Sequence, residues 1–257
     1  MKNLLFKLFC LLLSQSVFAQ SADMSGIQAL AGGGGISSKP LMLMIGMVAI
    51  SLLPFVGMMV TSFVKIAVVL SITRQAVGMQ QAPPTTVITG LAILLTVYVM
   101  QPVGLQIYKN SQKFMHHQNS EFFDKANVDL LFKAMTAAEA PMKEFLRNQA
   151  SEKNVQLFYR IAQKIRKAED RAALSIDDYI ILVPAFVISE LTKAFQIGFM
   201  IFLPFMVIDM AVSNILMALG MQMLAPTMIS LPFKLLLFVM VDGWYLITKG
   251  LVLGYQL

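Results

Sequence analysis

Two long uncharged runs dominate the first half of the chain. Pro40 to Val64 carries no charge for 25 residues, and Thr85 to Tyr108 carries none for 24. Each run is long enough to cross a bilayer as a helix, which takes about 20 apolar residues. Between them, Gln75-Ala-Val-Gly-Met-Gln-Gln-Ala-Pro-Pro84 supplies a turn, because Gly78 and the Pro83–Pro84 pair interrupt any helix. The pattern predicts a helical hairpin whose first arm is kinked at Pro54 and Gly57 and continues through Lys65 and Arg74. Polarity then rises from Lys109 to Asp178, with 12 basic against 10 acidic residues. Within this stretch Val128, Leu131, Phe132 and Met135, then Met142, Phe145 and Leu146, then Val155, Phe158, Ile161 and Ile165 recur at helical spacing. They predict two or three amphipathic helices forming a small polar domain. Ser175-Ile-Asp-Asp178 reads as a capping box opening the next helix. Tyr179 to Ile208 is long and apolar despite Pro184 and Pro204. After a break over Gly220–Pro226, Met228 to Leu257 predicts one final helix.

Composition agrees with a membrane protein. Hydrophobic residues make up 57% of the chain and charged residues 13%, about half the charged share of a soluble domain. The net charge of +6 is spread along the chain, so it does not form the basic patch that nucleic acid requires. At the N-terminus Lys2 and Lys7 precede an apolar core from Leu8 to Leu13 and a small-residue site at Val17-Phe-Ala19, the pattern of a cleavable secretory signal. Cys10, the one cysteine, lies inside that signal, so a processed chain has no thiol for disulfide, zinc or nucleophilic chemistry. The expected architecture is an all-α membrane protein with about four long hydrophobic helices, arranged as kinked hairpins, plus a small helical extracytoplasmic domain. Its segments are a signal peptide (1–19), a Gly/Ser tether (20–40), a first hairpin (41–108), a polar helical domain (109–178) and a C-terminal hairpin (179–257).

Catalytic chemistry has little to stand on. His116 and His117 are adjacent, so on a helix they point about 100° apart and make a poor metal pair. No HExxH, GxSxG, Walker or Rossmann pattern occurs, and no enzyme activity or cofactor is expected. The charges inside apolar zones say more. Lys65, Glu190, Lys193, Asp209, Lys234 and Asp242 each cost several kcal/mol if left facing lipid, so they must pair or line water. Glu190 and Lys193 lie one turn apart and can pair locally. Asp209, Lys234 and Asp242 fit either inter-helix salt bridges or an ion pathway. The second option makes a proton- or solute-coupled transporter the alternative to the reading below, although the internal repeats common in transporters are absent.

Longer strings carry a resemblance. Phe55-Val-Gly-Met-Met-Val-Thr-Ser-Phe-Val-Lys65, Gly78-Met-Gln-Gln-Ala-Pro-Pro84 and Val99-Met-Gln-Pro-Val-Gly104 are similar to the type III secretion export-gate family, which contains the flagellar FliP proteins and the injectisome proteins SctR, YscR and HrcR. So are Pro184-Ala-Phe-Val-Ile-Ser-Glu190, Ile208-Asp-Met-Ala-Val-Ser-Asn-Ile-Leu216 and Ile229-Ser-Leu-Pro-Phe-Lys234 through Val241-Asp-Gly-Trp244. Ser189-Glu-Leu-Thr192 and Gly250-Leu-Val-Leu-Gly-Tyr255 resemble the injectisome branch, which is favoured, whereas Ala194-Phe-Gln-Ile-Gly-Phe199 and the signal look more flagellar. The resemblance implies an inner-membrane subunit with a periplasmic domain, about five copies of which close on themselves in a cone. It also implies a small two-helix subunit, a third related subunit and the switch/autoprotease export protein as partners, with unfolded secreted proteins as cargo. A methionine-rich loop from each copy would meet at the axis as a gasket; here it falls on Met221, Gln222 and Met223, glutamine standing where methionine is commoner. In such an assembly Glu190 is expected to pair with Lys234 of a neighbouring copy, the local Glu190–Lys193 contact being the competing account.

Overall fold

The computed structural model describes residues 39–79, 82–112, 138–167, 171, 174–221 and 224–255. The signal, nearly all of the tether, His116 and His117, Val128 to Met135, Gln222 and Met223 lie outside the described residues. Among the described residues there are eight helices and no strand: α1 (Lys39–Val60), α2 (Phe63–Val77), α3 (Thr85–Gln112), α4 (138–149), α5 (Glu152–Ile165), α6 (Tyr179–Ala218), α7 (Pro226–Met240) and α8 (Gly243–Leu253). The chain divides into two units, Met1–Pro54 and Phe55–Leu257. In the first, the described part is the N-terminal stretch of α1; everything below concerns the second.

The expected first hairpin is present as α2 and α3, joined by the Gly78–Pro84 turn. Gly78 caps α2 at φ +87°, a conformation in which a side chain would clash, and its N–H returns to the Gln75 carbonyl at 3.0 Å. A cis bond joins Ala82 to Pro83. The sharp bend in the first arm is elsewhere than expected. α1 continues through Pro54 and Gly57, and the 81° change of direction falls at Thr61–Ser62, between Pro54–Val60 and Phe63–Val77. The final helix is likewise two helices, α7 and α8, meeting at 59° across Val241–Asp242. Asp242 takes the left-handed conformation there at φ +56°, which short polar side chains tolerate. Gly243 follows because a Cβ would stand 2.3 Å from the Phe238 ring.

α6 organises this unit. Its 40 residues give a length of about 60 Å, twice the hydrocarbon thickness of a bilayer. Leu182, Phe186, Glu190, Ala194 and Gly198 recur every fourth residue and are buried, an inclined row that winds around α6 beneath its neighbours. α2 answers with Ser62, Lys65, Ile66, Val69, Leu70 and Thr73, also buried. α3 and α5 pack alongside, and Leu251 and Tyr255 close the same core. Full burial of Phe186 alone contributes about 1.5–3 kcal/mol. Hydroxyls within these apolar helices turn back on their own carbonyls, as Thr73 does to Val69 at 2.9 Å and Thr96 to Ala92 at 2.7 Å, so both donors are satisfied without water. The outer face of α6 is different: Phe195, Phe199, Met200, Val207 and Met210 are each at least 60% exposed. An apolar face of that size marks lipid or partner contact.

Two described helices, α3 and α6, are long and apolar enough to cross a membrane, and up to four spans result if each bent pair counts as one. This is an all-α membrane protein. The polar stretch is helical where described, with Phe145, Leu146 and Val155 buried as their spacing predicts. Ile161 and Ile165 are exposed instead. At 100° per residue the line from Val155 to Ile161 has turned far from the Val155 face, and α5 packs through Val155, Phe158, Tyr159 and Ala162. The Ser175–Asp178 turn makes both kinds of capping contact, Ser175 N–H to Asp178 Oδ2 at 3.0 Å and Asp177 N–H to Ser175 Oγ at 3.3 Å. The N-cap itself is Asp178 rather than Ser175, so the motif folds the approach to the helix.

Candidate functional site

The charges singled out in the sequence resolve into two clusters and a remainder. In the first, Lys65 on α2 and Glu190 on α6 face each other at 3.3 Å, 3% and 0% exposed. Glu190 also accepts Lys193 Nζ at 3.1 Å and the Tyr255 hydroxyl. Its two oxygens are therefore satisfied by three donors, as a buried carboxylate requires. Lys193 is 39% exposed and bonds the Gln149 carbonyl at 2.7 Å, linking the cluster to α4. One residue before Glu190, Ser189 gives its proton to the Ala185 carbonyl at 2.6 Å and accepts from Ser151 N–H and Asn154 Nδ2, both at 2.8 Å. That hydroxyl pins the start of α5 to α6. On the exposed flank of the polar helices, a hydrogen bond to Glu139 raises the pKa of Lys143.

The second cluster joins α6 to α7. Lys234 Nζ meets Asp209 Oδ2 at 2.5 Å, and Ser230 donates to Asp209 Oδ1, also at 2.5 Å. Lys234 is buried, while Asp209 keeps about a third of its side chain open. Asp242 belongs to neither cluster and lies exposed at the α7–α8 break. The expected local pairing of Glu190 with Lys193 is present. Within one chain Glu190 and Lys234 do not meet, and each has its own counter-charge, Glu190 from α2 and Lys234 from α6. We expect Lys234→Glu to lower the stability of the detergent-purified protein by about 3–5 kcal/mol, the cost of breaking an ion pair whose lysine is buried. Asp209→Lys should recover that loss and Glu190→Lys should not. Recovery through Glu190 would reinstate the pairing first expected.

Sequence reasoning missed Tyr255, Ser189, Ser230 and the Lys65–Glu190 partnership. For Asp209 and Lys234 a signal exists: they are mirrored about the junction of positions 221 and 222 in the α6–α7 loop, so folding the hairpin there sets them opposite one another. The expected gate loop is that same loop. α6 ends at Ala218, Gly220 turns the chain at φ +73°, and α7 begins at Pro226. Met217, Leu219, Met221, Leu224 and Met228 are all exposed around it.

The sequence model of the FliP family matches residues 46–251, nearly the whole described structure. The chain belongs to the FliP family. Similar relatives come from both of its branches. The chain is 44% identical to the Yop proteins translocation protein R of Yersinia pestis, over 80% of this chain and 92% of that one. It is 42% identical to the hypersensitivity response secretion protein HrcR of Ralstonia nicotianae, over 81% and 94%. It is 39% identical to the flagellar biosynthetic protein FliP of Caulobacter vibrioides, over 99% and 90%. The family is one of type III secretion and flagellar export, and its helices here include membrane-spanning ones.

Proposed function

We propose that the protein is a core inner-membrane subunit of a type III export gate, forming the wall and gasket of a protein-conducting channel. About five copies close into a cone with a small two-helix subunit and a third related subunit, beside the switch/autoprotease export protein. The 109–178 region lies in the periplasm and the signal is removed after Ala19. Unfolded secreted proteins pass along the axis, and the wall carries no catalytic residue.

The observation that carries this reading, beside family membership, is the α6–α7 loop. It is an uncharged tip ringed by exposed Met217, Leu219, Met221, Leu224 and Met228 at the end of two apolar helices. Methionine suits a seal, since its unbranched, polarizable side chain repacks around whatever passes. Met221 and Met223 from each copy would narrow the axis, with the Gln222 amides hydrogen-bonding around the ring. A coupled transporter is less well supported: Asp209 and Lys234 neutralise each other directly, and Asp242 stands apart from them at the α7–α8 break. In planar bilayers, Met221→Ala with Met223→Ala is expected to raise ion leakage of the assembled complex, and Gln222→Met to preserve or tighten the seal. Unchanged conductance in the double alanine variant, with assembly intact, would remove the loop from the gate.

A further inference from the structure

Tyr255 lies past the last turn of α8, yet it is only 6% exposed. Its surroundings fit a phenol on every side. The Phe145 ring from α4 lies nearly parallel to it, centroids 6.4 Å apart at 20°. Lys65 Nζ from α2 stands 3.4 Å from the ring centroid, where the negative face of an aromatic attracts a cation. The hydroxyl donates to Glu190 of α6, with the Ser62 carbonyl 3.3 Å away as a second acceptor. Ser62 is the residue at the 81° bend between α1 and α2. It is fully buried, and its own Oγ has no hydrogen-bond partner among the described residues. Its carbonyl accepts the Ile66 N–H that starts α2 at 3.3 Å, so the group that begins this helix is the one the phenol touches.

We propose that Phe145, Lys65, Glu190 and the Ser62 carbonyl form a phenol-binding pocket, filled by the chain's own Tyr255, which locks the α1–α2 bend against α6. Each part of the ligand has its counterpart. The ring takes the apolar wall and the ammonium, and the hydroxyl makes a charge-assisted hydrogen bond to the carboxylate. A phenylalanine there fills the same space and leaves the carboxylate one donor short. The walls come from three helices and the bend, whereas the filler lies past the last turn of α8 and belongs to no helix. The lock can therefore open by local release of that segment, with every helix intact. This pocket is independent of the gate loop and holds whichever way that loop behaves.

Hydrogen–deuterium exchange of the full-length protein in detergent tests the lock, reading Thr61–Ile66 with α7 as internal reference. Tyr255→Phe is expected to raise exchange at Thr61–Ile66 about ten-fold, the scale of one charged hydrogen bond, with α7 unchanged. Tyr255→Gly should raise it further and leave a ring-sized cavity of the kind that takes up small aromatics. Adding 4-methylphenol should then restore protection, and toluene should not. Unchanged exchange in Tyr255→Phe overturns the proposal, as does a rise spread equally over α7, and so does rescue by toluene equal to that by 4-methylphenol. If Tyr255→Gly fails to fold, the Tyr255→Phe result decides alone.

Discussion

Glu190→Ala should destabilise the protein by about 3–5 kcal/mol, the usual cost of removing one partner from a buried ion pair. The loss exceeds that of any one contact because the carboxylate serves three donors. Without it Lys65, 3% exposed, loses its counter-charge in an apolar interface, with only the Tyr255 ring against it. Lys193 suffers less, since it reaches water and retains the Gln149 carbonyl. The asymmetry supplies the check. Lys65→Met in the Glu190→Ala background removes the stranded charge and should recover most of the stability, because a buried pair replaced by apolar groups is often neutral. Lys193→Met in the same background should recover little. Thermal or denaturant unfolding in detergent measures all four chains. A Glu190→Ala loss below about 1 kcal/mol, the range of exposed pairs, would show that water reaches the cluster.

The all-helical class, the turn at Gly78–Pro84 and the break before Pro226 were legible in the sequence, because glycine and proline act locally on the backbone. The bends at Thr61–Ser62 and Val241–Asp242 were not. Neither has a proline, and Gly243 is demanded by the Phe238 ring five residues before it, a contact that arises only once the chain has bent. Burial of Glu190 could have been read from its place in the every-fourth-residue stripe between Phe186 and Ala194. Its partner could not: Lys65 is 125 positions away, and a hydrophobic period says which face is inward without saying what it meets. The two clusters account for every charge singled out in the apolar zones except Asp242. Lys193 also illustrates why a helical neighbour misleads. The i, i+3 contact to Glu190 exists, but it is the partner on another helix that is buried.

Gly198 is the other position where a small change should have a large effect. A Cβ there would stand 2.6 Å from Ile72 Cδ1, 2.9 Å from Cγ2 and 3.2 Å from Cβ. The Cδ1 atom can swing aside, but Cγ2 moves only on a χ1 rotation that a β-branched residue in a helix resists, and Cβ only with the backbone of α2. α2 and α6 run in the same direction here, since Ile72 lies seven residues beyond Lys65 and Gly198 eight beyond Glu190. The close approach thus holds the same interface whose other end is the Lys65–Glu190 pair. Alanine at 198 gains up to about 1 kcal/mol of helix propensity and loses about 1–3 kcal/mol to overpacking, so Gly198→Ala should be mildly destabilising. Gly198→Val adds two more methyl groups to the clash and a β-branched side chain to the helix, and we expect it to cost more than 3 kcal/mol or to abolish folding. The remedy distinguishes packing from propensity. Ile72→Ala removes Cγ2 and Cδ1, leaving the 3.2 Å Cβ contact, so Gly198→Ala with Ile72→Ala should be more stable than the sum of the two single changes by about 1 kcal/mol or more. Strict additivity in that double-mutant cycle, followed by thermal unfolding in detergent, would mean that α2 and α6 do not meet at Gly198.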